Sequence, residues 1–245
     1  MEHNILTEKM INDIVTEDYR TAAIFEKYSL DFCCNGGVTI EAACREKNID
    51  PAPVLAELSR LFEAAGPAVD TAASMEPDAL IDHIVSVHHA YVARMIPVIY
   101  THTQKVAAVH GGRHPEVVKI ADLFSSVAEE LIHHMKKEEM ILFPYIERLV
   151  AAKRTGTPIS APPFGTAKNP IAMMEREHQD AGDGLYQIRE LSAKYQPPAD
   201  ACTTYRVSFK ELQEFEEDLH RHVHLENNIL FPSAIRLEEE LTSVR

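Results

Sequence analysis

The sequence predicts an all-α protein in which a small helical N-terminal domain precedes an antiparallel four-helix bundle. Two observations carry that reading: apolar residues recur at alternating steps of three and four over long stretches, and Gly/Pro clusters interrupt them at helix-length intervals. Strand-type alternation is weak throughout. In chain order, residues 1–66 hold short amphipathic stretches at about Ile11 to Tyr28, Thr39 to Lys47 and Pro51 to Ala65, separated by "LDFCCNGG" and "NIDP". Residues 67–76 read as a linker, and Pro77 suits the first turn of a helix, where its missing N–H costs nothing. Residues 77–245 form the bundle, with helices at about 77–104, 115–152, 170–195 and 200–241. "HGGRHP", "TGTPISAPPFGTAKNP" and "YQPPAD" separate these helices.

The bundle repeats one motif. "HMKKEEMILFP" from His134 and "HVHLENNILFP" from His222 share the form HxxxExxILFP 88 residues apart, and His89 and His178 precede them by 45 and 44 residues. Residues four apart on a helix stack one turn above each other and can grip one ion. Phe124, Val127, Leu131, His134, Glu138 and Ile141 form one seam, and Leu212, Phe215, Leu219, His222, Glu226 and Ile229 repeat its steps. His178 lies on the seam Ile171, Met174, Ala181, Leu185, Ile188, and His89 on Val85, Val92, Ile96, Ile99. His88 fits a second seam through Ile81, Ile84, Tyr91 and Met95, but the half-to-half repeat favours His89. Four imidazoles and two carboxylates thus face one core. Ionisable groups there cost several kcal/mol unless cations fill the centre.

Without thiolate, this donor set suits iron, manganese or zinc. If Glu138 and Glu226 both bridge, six residues supply about eight of roughly twelve positions around two octahedral ions, leaving room for a bridge or a small ligand. A lone HxxxE is usually a surface charge pair and a lone buried histidine a hydrogen-bonded core residue. Duplication at equal spacing within an apolar seam argues for metal. Pro144 and Pro232 each remove a helix hydrogen bond and bend the chain, while Phe143 and Phe231 pack beside the site. His220 and His224 point away from His222, toward solvent or a neighbour.

With 245 residues and a formal charge of −14, the chain has ample material for a core and no basic cluster for nucleic acid or an anionic membrane. No secretion signal or spanning segment is evident, so a cytoplasmic location is expected. Four cysteines do not make a disulfide framework in a chain of this length. Cys33 and Cys34, beside Gly36 and Gly37 in a turn, are candidates for redox or metal chemistry, against the alternative of a buried structural pair. Cys44 and Cys202 read as core residues. Glu130 and Glu177 are candidates to orient an imidazole, though a solvated role is commoner for a helical glutamate.

"EELIHHMKKEEMILFP", "MEREHQDAG" and "HRHVHLENNILFP", together with "YSLDFCCNGG" and "TIEAAC", resemble the RIC (repair of iron centres) family, iron–sulfur cluster repair di-iron proteins with a hemerythrin-like domain. The likeness spans nearly the whole chain. It implies ligands at His89, His134, Glu138, His178, His222 and Glu226, with the glutamates bridging two oxo-linked irons. It also implies repair of iron–sulfur proteins damaged by nitric oxide or oxidants, by iron donation or NO handling, with Cys33 and Cys34 assisting transfer or redox steps. NO-reductase-type activity and a homodimer are further expectations. Two alternatives stand beside repair: an oxygen- or NO-binding sensor or carrier, and a protein-interaction bundle with adventitious metal.

Overall fold

A computed structural model describes residues 6, 8–64 and 72–243. Half of the expected linker, residues 67–71, lies outside them. Among the described residues no strand forms beyond an isolated antiparallel bridge between Met10 and Thr39. The chain divides into two compact units, residues 1–76 with 223–233, and residues 77–222 with 234–245.

The first unit carries α1 (Ile11–Glu17), α2 (Ala22–Lys27), α3 (Ile40–Glu46) and α4 (Pro51–Ala64). The single helix expected from Ile11 to Tyr28 is broken at Asp18, which adopts an extended backbone and whose carboxylate accepts from the Arg20 N–H to start a 3₁₀ turn, Tyr19–Thr21. A buried carboxylate that must bind its own backbone overrides the helical period. Thr39 caps α3 through the Ala42 N–H, as its place before an apolar run suggests. Ile11, Ile14, Phe25, Ile40, Cys44, Val54 and Leu58 fill the small core.

In the second unit, α5 (Pro77–His83) passes through a π-helical turn, Ile84–His89, into α6 (Ala90–His110). Then α7 (Glu116–Lys137) passes through the π turn Glu138–Leu142 into α8 (Phe143–Thr155), and α9 (Lys168–Leu191) follows. The last long helix, α10 (Thr203–Leu225), continues through the π turn Glu226–Leu230 into α11 (Phe231–Ser243). α7 packs against α6 and α9, and rings of Tyr91 and Phe124 meet Phe215 of α10. No described helix is long and apolar enough to cross a membrane.

The bundle departs from sequence expectation in three places. α6 runs on to His110 because Val106 and His110 are buried. α9 ends at Leu191, before the expected 195, since Ala193, Lys194 and Tyr195 adopt left-handed backbone (φ 51°, 59° and 60°) that turns the Tyr195 ring inward, where its hydroxyl donates to Glu216. Finally, Ile141 is 50% exposed while Leu142 is buried. A π turn holds one residue more than an α turn, so the seam beyond Glu138 rotates by about 100°.

Proline accounts for two of the wide turns. In an α-helix the Pro144 ring would collide with the carbonyl of Met140 and leave it without an amide donor, and Pro232 would do the same at Asn228. Widening the turn relieves both collisions. The repeated LFP thus sets the helix phase directly after each glutamate, whereas the turn at Ile84–His89 has no proline to explain it.

Gly184 lets α9 approach α7: a Cβ there would lie 2.5 Å from Val127 Cγ2. We predict that Gly184→Ala destabilises by about 1–3 kcal/mol through overpacking. Val127→Ala should recover part of that loss in a double-mutant cycle measured by denaturant unfolding.

Candidate metal centre

Six side chains expected from the sequence to meet do so. His89 ends the first π turn, and His134 and Glu138 stand one turn apart where α7 enters the second. His178 is central in α9, and Glu226 follows His222 by one turn on the unbroken helix of α10 and α11. All six are at most 3% exposed.

Their ligand atoms fall into two groups. His89, Glu138, His222 and Glu226 form one and His134, Glu138, His178 and Glu226 the other, with ligand atoms in each group within 4.8 Å of one another. His89 Nε2 is 3.1 Å from His222 Nε2, and His134 Nε2 is 2.9 Å from His178 Nε2. Glu138 Oε2 reaches His89 Nε2 at 3.4 Å and His134 Nε2 at 3.3 Å. Adjacent donors on an octahedral ion with bonds of about 2.1 Å stand about 3.0 Å apart. The observed separations are close to that edge, so the donor set fits bound metal, and Glu138 and Glu226 belong to both groups.

Two of the four imidazoles are held in the right tautomer for this. Nδ1 of His89 is 2.7 Å from Glu139 and Nδ1 of His134 is 2.9 Å from Glu177. A carboxylate at Nδ1 places the ring proton there and leaves Nε2 as a bare lone pair. Phe143 stacks on His89 with centroids 5.7 Å apart, as the motif suggested. Glu177 also accepts from Lys137. Burial alone would raise the Glu177 carboxyl, but Lys137 and His134 hold it below its ordinary value.

Of the residues weighed from sequence, Glu177 thus orients an imidazole, whereas Glu130 is exposed. Sequence reading did not single out Glu139; its only signal was adjacency to Glu138 on the side the wide turn presents to His89. His88 is buried too, but it pairs through Nδ1 with Asp218 at 3.0 Å and stacks on His222, outside both donor groups. His224 lies against Tyr19 and Phe32, a neighbour rather than solvent. Cys33 is buried and Cys34 half-buried, neither in a disulfide. Cys44 is buried as expected. Cys202 is not a core residue: it is exposed just before α10, with its sulfur 3.2 Å from His110 Nε2.

Fold and site together define an all-α protein with a hemerythrin-type cation-binding bundle. Residues 80–234 match the Hemerythrin HHE cation binding domain, and residues 7–61 match ScdA_N, a Domain of Unknown function (DUF542). The chain is 34% identical to the iron-sulfur cluster repair protein YtfE of Enterobacter sp. (strain 638), over 93% of this chain and 97% of that protein. It is 30% identical to the iron-sulfur cluster repair protein ScdA of Staphylococcus haemolyticus, over 93% and 98%. A probable iron-sulfur cluster repair protein of Haemophilus influenzae is 35% identical over 86% and 90%. The chain belongs to this family of iron–sulfur cluster repair proteins with a hemerythrin-like domain.

A folded-state carboxyl held below its ordinary 4.5 contributes stability above that pH and loses it as pH falls through the lowered value. Glu177→Gln in metal-free protein should therefore cost roughly 1 kcal/mol at neutral pH. The gap to wild type should close in acid below 4.5, as read by urea unfolding at a series of pH values.

Proposed function

We propose that the protein repairs iron–sulfur clusters damaged by nitric oxide or oxidants, using two iron ions held by His89, His134, Glu138, His178, His222 and Glu226. The observation that carries this reading is the membership of Glu138 and Glu226 in both donor groups, which favours a bridged pair over one ion. Bound irons would supply one-electron chemistry and coordination positions open to a small molecule.

The chain's own residues shape that chemistry. Glu139 and Glu177 fix the proton of His89 and His134 at Nδ1, so each ring offers Nε2 inward. Deep burial excludes bulk water from the carboxylates and strengthens their hold on a cation. A histidine-rich set without thiolate or a large carboxylate cage holds iron(II) moderately, which suits donation. Cys33 and Cys34 assist transfer or reduction. Residues 1–66 act as a cysteine-bearing module, 67–76 as its linker and 77–245 as the di-iron module. Clients are damaged iron–sulfur proteins in the cytoplasm, NO or oxygen-derived species are the small-molecule partners, and the assembly is a homodimer.

The test uses iron-loaded full-length protein, anaerobic, mixed with a hydratase whose cluster has been destroyed by NO. Wild type should carry about two irons per chain, with the Mössbauer signature of a coupled pair, and restore hydratase activity. Glu226→Ala should lose the coupled signature and the repair. Recovery no greater than that given by the same amount of free iron(II) would overturn the proposal.

A further inference from the structure

In the first unit, Asp31, Cys33 and Cys34 bring a carboxylate and two thiols together in the turn after α2. Cys33 Sγ is 3.7 Å from Cys34 Sγ and 3.5 Å from Asp31 Oδ1. A tetrahedral ion with bonds of about 2.3 Å to sulfur and about 2.0 Å to oxygen sets its sulfurs about 3.8 Å apart and each sulfur about 3.5 Å from the oxygen. Both separations in the turn match edges of that tetrahedron.

We propose that Asp31, Cys33 and Cys34 form a second metal site, which takes a thiophilic divalent cation such as iron(II) or zinc(II) through two sulfurs and one carboxylate oxygen and leaves a fourth position open. Its use as a station for iron in transit rests on the repair function proposed above; the site itself does not.

The turn is built to hold this geometry. The Asp31 carboxylate accepts from the N–H groups of Cys33, Cys34 and Asn35, at 3.0, 3.0 and 3.2 Å, and from the Asn35 side-chain amide at 2.9 Å. Three successive amides on one carboxylate fix the direction of both Cβ bonds. A Cβ on Gly36 would lie 2.4 Å from the Phe32 carbonyl oxygen, so a side chain there would force the turn open. From the other side, Asn227 donates to the Cys33 carbonyl at 3.0 Å and Asn228 to the Phe32 carbonyl at 3.3 Å. Both asparagines sit in the π turn that begins with Glu226, so the helical turn carrying a bundle ligand also clamps the cysteine turn.

The chemistry suits reversible loading. The Cys34 thiol, burial and Asp31 together push the Cys33 thiol well above its ordinary value. Cys33 therefore resists forming an unpaired buried anion. An arriving divalent cation relieves that penalty: each thiol releases its proton to solvent, and two sulfur–metal bonds and one oxygen–metal bond form with no change in oxidation state. Three protein ligands with one open position are the arrangement of sites that exchange a ligand, in contrast to closed four-ligand structural sites.

Cobalt(II) is the probe, because its bonds to thiolate give a near-ultraviolet charge-transfer band that histidine and carboxylate ligation lacks. Iron-loaded full-length protein titrated anaerobically with cobalt(II) should develop the band, and Cys44→Ser/Cys202→Ser should keep it. Cys33→Ser/Cys34→Ser should lose it with its bundle iron unchanged, and Asp31→Asn should weaken cobalt binding. If the double cysteine variant fails to fold by circular dichroism, Cys34→Ser alone decides by losing about half the band intensity, one of two sulfur–metal bonds. No band from wild type, or a band that survives loss of Cys33 and Cys34, overturns the site. A band without cluster repair sinks the repair reading and leaves this site standing; repair without a band does the reverse.

Discussion

Glu138 and Glu226 are carboxylates with no solvent exposure, and the bundle is organised around that fact. An ionised carboxylate in a helical core is tolerated only when positive charge meets it. Four imidazole nitrogens supply the lining and cations the charge. The architecture follows: the long helical segments of the bundle each contribute to the centre, Phe143 stacks on one of its imidazoles, and Leu131, Ile171, Met174 and Leu219 on the same helices are buried.

The wide turns show how that layer is fitted into otherwise regular helices. Glu138 and Glu226 each occupy the first position of a π turn, and His89 the last position of another. A π turn costs hydrogen-bond quality and persists only where something repays it. Pro144 and Pro232 contribute by making the α alternative worse. The result is a local change of phase after Glu138, which the regular helix already turns inward, that returns Leu142 and Phe143 to the core. Outside the donor set, the partly exposed Glu139 and Glu177 set the proton positions of two imidazoles.

The N-terminal unit reuses the same logic on a smaller scale. Asp18 and Asp31 are both bound by backbone amides in the turns that follow α1 and α2, and each turn is defined by what its carboxylate needs. At Asp31 that need positions two cysteines. Packing of α1 on the π turn Glu226–Leu230 completes the unit, so that turn serves two purposes: it carries Glu226, and it offers Asn227 and Asn228 as clamps.

The sequence alone determined the helical class, the order of the long helices and which six donors share a core, because each of these depends on spacing along one helix and on a repeated motif. His134 with Glu138 and His222 with Glu226 are fixed by helical geometry that no packing detail alters. Tertiary structure decided the rest. The half-to-half repeat favours His89 over His88, and the π turn that buries both shows why: His89 brings its Nε2 to the Nε2 of His222, while His88 stacks on that ring and pairs with Asp218. The swap of Ile141 for Leu142, the break at Asp18, the inward Tyr195 and the exposure of Cys202 likewise depend on contacts between residues distant in sequence or on a change of helical period. An apolar pattern read at a constant 3.6 residues per turn carries no mark of where that period shifts.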